Sequence, residues 1–126
     1  MGIEPGFLIL EVGYDNDAAE DLRSAIQART GTELLDYDSS EVVDAVIIWW
    51  REGDGDLVDE LVDGLTFLAE AGSIWLLTPK LGRPNHVEPS DIQDAAPTAG
   101  LSQTSSFAAS ADWTATRLIA RKSGRK

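Results

Sequence analysis

Four side chains with cationic or imidazole nitrogens follow two apolar segments, residues 45–50 and 73–78, at the points where buried strands would end. Cationic nitrogens bind anionic groups, and an imidazole can act as a general base near neutral pH. Carboxylates are abundant nearby, so the cations could instead form ordinary surface ion pairs. No serine or threonine lies in the glycine-flanked turn of a nucleophile elbow, which argues against catalysis. The four residues are Arg51, Lys80, Arg83 and His86.

A second group of residues is expected at the same edge of the protein. Residues 7–12 form a short apolar run of strand length, which Gly13 ends and Tyr14 follows. Because parallel strands place ligands beyond their carboxyl ends, Gly13, Tyr14 and Trp50 should lie near the four nitrogen-bearing side chains. The two rings would supply stacking surface there. This carboxyl edge is the candidate site for a ligand or partner, and it would suit a small anion or a nucleoside.

Strand and helix patterns alternate along most of the chain, which predicts an α/β fold. Connections of crossover length give right-handed βαβ units, and therefore a mostly parallel sheet with helices on both faces. Residues 110–112 join the last two strands and are too few for a crossover, so these strands should form an antiparallel hairpin. The six predicted strands span residues 7–12, 33–36, 45–50, 73–78, 101–110 and 114–122.

Three predicted helices have recognisable start and stop signals. Short polar side chains cap the first turn of a helix, and a glycine in a left-handed conformation commonly ends the last turn. The predicted caps are residues 15–17, Asp54 or Asp56, and Ser90, which forms a capping box with Gln93. The predicted ends are Gly31, Gly72 and Gly100.

Length and charge limit the classes of function. A chain of 126 residues predicts a single domain over residues 1–121, followed by a flexible basic tail at residues 122–126. The net charge is −12, and the first 63 residues carry 17 acidic and 3 basic side chains. A surface this acidic repels phosphate backbones, and nucleic acid is therefore not expected as a partner. A protein partner is the favoured alternative.

Other sequence features predict a cytoplasmic protein without a metal or a cofactor. Cysteine is absent, which fits a reducing compartment, and the apolar run at residues 7–10 is too short for a signal peptide or a membrane span. Gly53, Asp54 and Gly55 could suggest a phosphate loop or a cation site. The glycine spacing of a phosphate loop is absent, and so is the ligand spacing of a calcium-binding loop. Helix capping is therefore the better account of these residues.

Two sets of motifs resemble known families. DAVIIWW, LVDGLTFLAEAGSIWLLTPK, DIQDAAPTAGLSQTSSFAAS and DWTATRLIARK resemble the last four strands of Rossmann-like methyltransferases. More closely, and over nearly the whole chain, GYDND, VVDAVIIWWREGDGDLVDELVD, IWLLTPK, HVEPSDIQ and APTAGL resemble a family of small acidic actinobacterial proteins, domain of unknown function 3052. The resemblance implies a single three-layer Rossmann-like (methyltransferase-like) domain. Its six-stranded sheet would have the order 2-1-3-4-6-5, with the last strand antiparallel.

The loop after strand one departs from the methyltransferase pattern. That family has an acid followed by several glycines, whereas only Gly13 remains here, between Glu11 and Tyr14. Glycines let the backbone approach a cofactor, and a tyrosine ring with neighbouring carboxylates would oppose S-adenosylmethionine, so no cofactor is expected. The resemblance also implies that Asp36, near the end of strand two, could bind ribose hydroxyls. The alternative is that Asp36 is a solvated turn residue.

The tryptophans and the missing catalytic groups complete the prediction. Trp49 and Trp75 occupy strand positions that should pack beneath helices, while Trp113, beside the hairpin turn, is predicted to be exposed and available to a partner.

With no complete cofactor loop, the leading hypothesis is a non-catalytic module for protein interaction or regulation. The alternative is a ligand-binding protein or an enzyme that uses the carboxyl edge.

Overall fold

The computed structural model describes residues 3–36, 42–80 and 82–120, so the predicted basic tail lies outside the described residues. Within these ranges, five strands and three helices follow one another in the expected order. They are β1 Ile9–Val12, α1 Glu20–Thr30, β2 Val43–Trp49, α2 Leu57–Phe67, β3 Leu68–Pro79, α3 Pro89–Thr98, β4 Leu101–Ala108 and β5 Trp113–Ala120. None of the helices in these described ranges has the length and apolar character needed to cross a membrane.

The sheet has the order β1-β2-β3-β5-β4. Strands β1, β2 and β3 pair in parallel, whereas β5 lies antiparallel to both of its neighbours. The predicted strand at residues 33–36 forms only an isolated parallel bridge between Leu35 and Leu10. With this bridge in the edge position, the order is the predicted 2-1-3-4-6-5, and the α/β fold class is confirmed. Among the strands that the structure describes, β5 makes two of the four pairings antiparallel. The other four strands run in one direction, so the sheet is mostly parallel in strand direction and not in its pairings.

Each face of the sheet has its own apolar core, because side chains alternate along a strand. On one face, Ile26 of α1 belongs to the cluster that contains Trp49 and Trp75, as predicted for these two rings. On the other face, Leu61 of α2 and Ile92 of α3 belong to a second cluster. The two helical layers therefore enclose the sheet and hold the carboxyl ends of its strands in fixed positions.

The prediction that Trp113 is exposed is wrong, because its side chain is only 3% exposed. Trp113 is the first residue of β5, and its ring packs edge-on against Trp49 with a centroid separation of 4.9 Å. Its indole N–H donates a hydrogen bond of 3.0 Å to the carbonyl of Asp17. Because the ring faces the α1 side of the sheet, it belongs to the core and offers no surface to a partner.

Several helix signals act as predicted. Gly31 ends α1 in the left-handed conformation, with φ of 79°. The Asp56 carboxylate caps α2 by accepting hydrogen bonds from the backbone N–H groups of Val58 and Asp59, at 2.9 and 3.3 Å. The side chains of residues 15–17 do not cap α1, because the N-cap residue is Ala19.

Two helix boundaries differ from the prediction. Helix α2 ends at Phe67 instead of continuing to Gly72, because Leu68 already pairs with Val43 as part of β3. A Cβ on Gly72 would lie 2.7 Å from the carbonyl oxygen of Asp44, so the glycine permits close strand packing and not a helix end. Helix α3 begins at Pro89, so the predicted cap at Ser90 falls inside its first turn.

Candidate functional site

The loop after β1 approaches the end of β2 closely. Gly13 has a φ of 80°, and a Cβ at this position would lie 2.4 Å from the carbonyl oxygen of Trp49. No side chain fits in that space without movement of the backbone. The one glycine retained from the methyltransferase loop pattern therefore serves a contact within the chain itself.

Arg51 crosses the gap between these two strand ends. Its Nη1 donates to the carbonyl oxygens of Gly13 and Trp49 at 2.8 and 3.1 Å. Its Nε and Nη2 donate to the two carboxylate oxygens of Asp17 at 2.9 and 2.5 Å. The guanidinium also lies 5.3 Å from the ring centroid of Trp113, and the Arg51 side chain is only 12% exposed. Arg51 therefore fills the carboxyl edge between β1 and β2.

Charge and hydrogen bonding hold this arrangement in its ionised form. The hydrogen bond from Arg51 keeps the pKa of the Asp17 carboxyl below its ordinary value, and the same hydrogen bond raises the pKa of Arg51. The backbone N–H of Arg51 donates to Asp54 Oδ2 at 2.9 Å, which fixes the following turn. The backbone N–H and the guanidinium of Arg51 are thus both hydrogen-bonded to carboxylates.

A second network surrounds Glu11, the acid at the end of β1. Its carboxylate accepts hydrogen bonds from Arg23 Nε and Nη2 at 2.6 and 2.8 Å, and from the indole of Trp49 at 2.9 Å. The Glu11 side chain is 8% exposed, and the hydrogen bond to Glu11 raises the pKa of Arg23. Because three donors already converge on this carboxylate, it is held by protein groups and faces no open site.

Tyr14 lies over the start of α1. Its ring is 3.9 Å from the Arg23 guanidinium carbon, and its hydroxyl donates a hydrogen bond to Glu20. This hydrogen bond raises the pKa of Tyr14 and lowers the pKa of Glu20. The ring is 49% exposed, so Tyr14 covers the charged network and still presents one side to solvent.

Two of the remaining predicted site residues, Trp50 and Asp36, lie apart from the Arg51 network. Trp50 is 7% exposed and belongs to the core on the α2 and α3 side, so its ring is not an open stacking surface. Asp36 is exposed and directly follows the bridge at Leu35, at the edge of the sheet beyond β1.

Of the three predicted nitrogen-bearing residues after β3, Arg83 lies beside the Arg51 network, whereas His86 lies in a different cavity. Arg83 Nη1 lies 3.2 Å from Asp112 Oδ1, and Arg83 lines a cavity of about 200 Å³ together with Asp17 and Trp113. His86 Nε2 lies 2.7 Å from Glu88 Oε2 and lines a different cavity. Lys80 contributes its backbone N–H to the carbonyl of Asp112 at 2.9 Å. Arg51, Arg83 and His86 thus follow the predicted alternative of pairing with nearby carboxylates.

The cavity that contains His86 was not anticipated from the sequence. It has a volume of about 290 Å³ and lies between the start of α3 and the β4-β5 hairpin. The sequence signal is an alternation of hydroxyl residues in the final hairpin, at Ser106, Thr114 and Thr116, where an apolar face would be expected. Its lining residues are Thr78, Pro79, His86, Val87, Glu88, Pro89, Ile92, Gln103, Ser106, Thr114 and Thr116.

The fold is similar to that of solved methyltransferases. The CcbJ methyltransferase from Streptomyces caelestis matches with a TM-score of 0.62 and 10% identity, over 95% of this chain and 86% of that one. A TehB-like SAM-dependent methyltransferase from Corynebacterium glutamicum matches with a TM-score of 0.58 and 14% identity, over 93% of this chain and 82% of that one. These TM-scores show a shared methyltransferase-like Rossmann fold, whereas identities this low leave the activity open.

Sequence relatives are much closer. Uncharacterized proteins of Mycobacterium bovis and Mycobacterium tuberculosis are each 53% identical over 123 residues, which cover 98% of this chain and 77% of those proteins. The model of a family described as "Protein of unknown function (DUF3052)" matches residues 1–122. The chain belongs to this family.

Proposed function

We propose that this protein is a non-catalytic, cytoplasmic member of the methyltransferase-like fold that acts by binding a partner protein. The observation that supports this most strongly is the position of Arg51. Its guanidinium bonds to Gly13, Trp49 and Asp17 at the edge where open α/β sheets bind their ligands. The chain's own side chain thus takes the space in which a cofactor would be expected.

Removal of Arg51 from this position would be costly. A ligand entering between β1 and β2 would have to break four side-chain hydrogen bonds, two of them to the Asp17 carboxylate. Charge-assisted hydrogen bonds to a carboxylate are stronger than neutral ones, and the two Arg51–Asp17 bonds are formed side by side. A carboxylate-bearing cofactor would also meet Asp17, Glu20 and Asp54 around the same edge.

An acidic groove between α2 and α3 is the surface proposed for the partner. Asp56, Asp91 and Asp94 contribute carboxylates around the apolar side chains of Leu57 and Val58, in an open depression of about 580 Å³. Complementary charge speeds association and selects partners, so this α2–α3 groove suits a basic segment with apolar side chains. The net charge of −12 acts in the same direction.

A ligand-binding assay tests the loss of the cofactor site. Isothermal calorimetry and thermal unfolding with S-adenosylmethionine and S-adenosylhomocysteine should show no heat of binding and no rise in Tm. A ligand that binds the folded chain must raise Tm as its concentration exceeds its Kd. A rise that disappears in Arg51→Lys would place a ligand at this edge and refute the proposal.

Cross-linking in a mycobacterial lysate tests the interaction surface. The wild-type chain should capture one defined protein, and Asp91→Lys/Asp94→Lys should lose it. Asp21→Lys/Glu33→Lys is the matched control, since it changes the net charge equally at exposed residues outside the groove. Capture should weaken at high salt, because exposed charges are screened. Equal loss in both variants would mean that net charge, and not the groove, drives capture.

A further inference from the structure

We propose that the cavity between α3 and the β4-β5 hairpin binds a small neutral molecule rich in hydroxyl groups, of the size of a polyol or monosaccharide. The cavity shares no lining residue with the α2–α3 groove, and it lies on the opposite side of the sheet from the Arg51 network. This inference is therefore independent of the proposed protein interaction.

The sheet supplies a row of hydroxyl groups to the cavity. Thr78 on β3 pairs with Thr114 on β5, and Thr116 on β5 pairs with Ser106 on β4. Direct partners in antiparallel strands project from the same face, so all four side chains line one wall of the cavity. The Ser106 and Thr116 hydroxyls lie 3.4 Å apart. The register of three separate strands thus concentrates hydroxyls in one place.

One of these hydroxyls is available to a ligand. Thr78 is 3% exposed, and its hydroxyl has no hydrogen-bond partner within residues 3–36, 42–80 and 82–120. Ser110 Oγ is the one enclosed polar side-chain atom without a partner in the described residues, so the Thr78 hydroxyl instead opens into the cavity, where it can donate to and accept from a bound molecule. Thr116, at 2% exposed, adds a second buried hydroxyl beside it.

The charge of the lining points to a neutral ligand. The lining residues that the structure describes include neither lysine nor arginine, and their one carboxylate, that of Glu88, is engaged with His86. Hydroxyl and amide side chains can both donate and accept, as can the hydroxyl groups of a polyol. Val87 and Ile92 supply apolar contacts for its C–H groups. The volume of about 290 Å³ lies at the lower end of the range for ligand pockets, which suits a small molecule.

Protein-observed NMR of the full chain tests the inference. The probes are myo-inositol, D-glucose and glycerol, each raised to about 20 mM so that millimolar binding is detected. At least one probe should give saturable shifts in the amide signals of Thr78, Ser106 and Thr116, whereas inorganic phosphate should give none. Thr78→Val removes the hydroxyl at nearly constant shape and should raise Kd about three- to tenfold. Ser105→Ala on the same β4 strand lies outside the cavity lining and should leave Kd unchanged.

Three results would overturn the inference. The first is that none of the three neutral probes gives saturable shifts. The second is that Thr78→Val folds well and binds with the wild-type Kd. The third is that inorganic phosphate binds more strongly than any neutral probe. If Thr78→Val fails to fold, Ser106→Ala replaces it, because Ser106 is exposed at the cavity mouth and its loss should not disturb the core. The expected weakening of binding is the same for either variant.

Discussion

Replacement of Gly13 by alanine separates two roles for the glycine of the first loop. If Gly13 exists to let a cofactor approach the backbone, its replacement should impair binding and reduce stability only by the conformational cost of a left-handed residue. If it exists to let the loop contact β2, as the approach to Trp49 indicates, the replacement should reduce stability by more than that cost. The free energy of unfolding therefore distinguishes the two roles.

The expected loss follows from conformation and contact. A non-glycine residue in the left-handed region costs about 1–2 kcal/mol. The new Cβ would lie 2.4 Å from the Trp49 carbonyl oxygen, which is backbone and cannot rotate away. Overpacking that forces the backbone to shift costs about 1–3 kcal/mol. Gly13→Ala should therefore destabilise the chain by about 2–5 kcal/mol, the sum of these two terms.

Gly31→Ala is the matched control. Gly31 has a φ of 79°, one degree from that of Gly13, but a Cβ there would meet nothing within 4 Å. It should carry the conformational cost alone. Thermal and urea unfolding of both variants should then separate them by about 1–3 kcal/mol, or about 3–12 °C in Tm for a domain of this size. Equal stability of the two variants would refute the contact with Trp49 as the reason for Gly13.

Three other predictions concern single side chains. The hydrogen bond from Arg51 lowers the pKa of Asp17, so its stabilisation is present above the unfolded pKa of about 3.9 and is lost as the pH falls through the lower folded pKa. In urea unfolding, the free energy of unfolding of Asp17→Asn should be about 0.5–1 kcal/mol below that of the wild type at neutral pH, a small difference because the pair is partly exposed. It should also fall less than that of the wild type between about pH 5 and 2. An equal fall in both proteins would contradict the ion pair. Asp56→Ala removes the cap of α2 and should lower the free energy of unfolding by about 1 kcal/mol without changing the urea m-value. Trp113→Ala should cost about 3–5 kcal/mol in the same assay, because the ring is buried against Trp49; a loss below about 0.5 kcal/mol would mean that the ring is exposed.

The order of elements could be predicted from the sequence because it depends on local patterns. The apolar run at residues 45–50 marks β2, and Gly31 and Asp56 end and begin their helices through backbone contacts only a few residues away. The C-terminal end of α2, at Phe67, could not be predicted from local patterns. The segment from Leu68 onward has helical apolar spacing, and only its pairing with Val43 makes it part of β3.

The carboxyl edge was located from the sequence, whereas its content was not. The alternation of strands and helices is enough to bring Gly13 and Arg51 to the same edge, because parallel strands end on the same side. The partners of Arg51 are set by the tertiary structure, since Asp17 and the Gly13 carbonyl lie 34 and 38 residues away along the chain. Local periodicity carries no information about which distant groups meet. For the same reason the burial of Trp113 and the hydroxyl cavity depend on the register of β3, β4 and β5, which only the folded chain establishes.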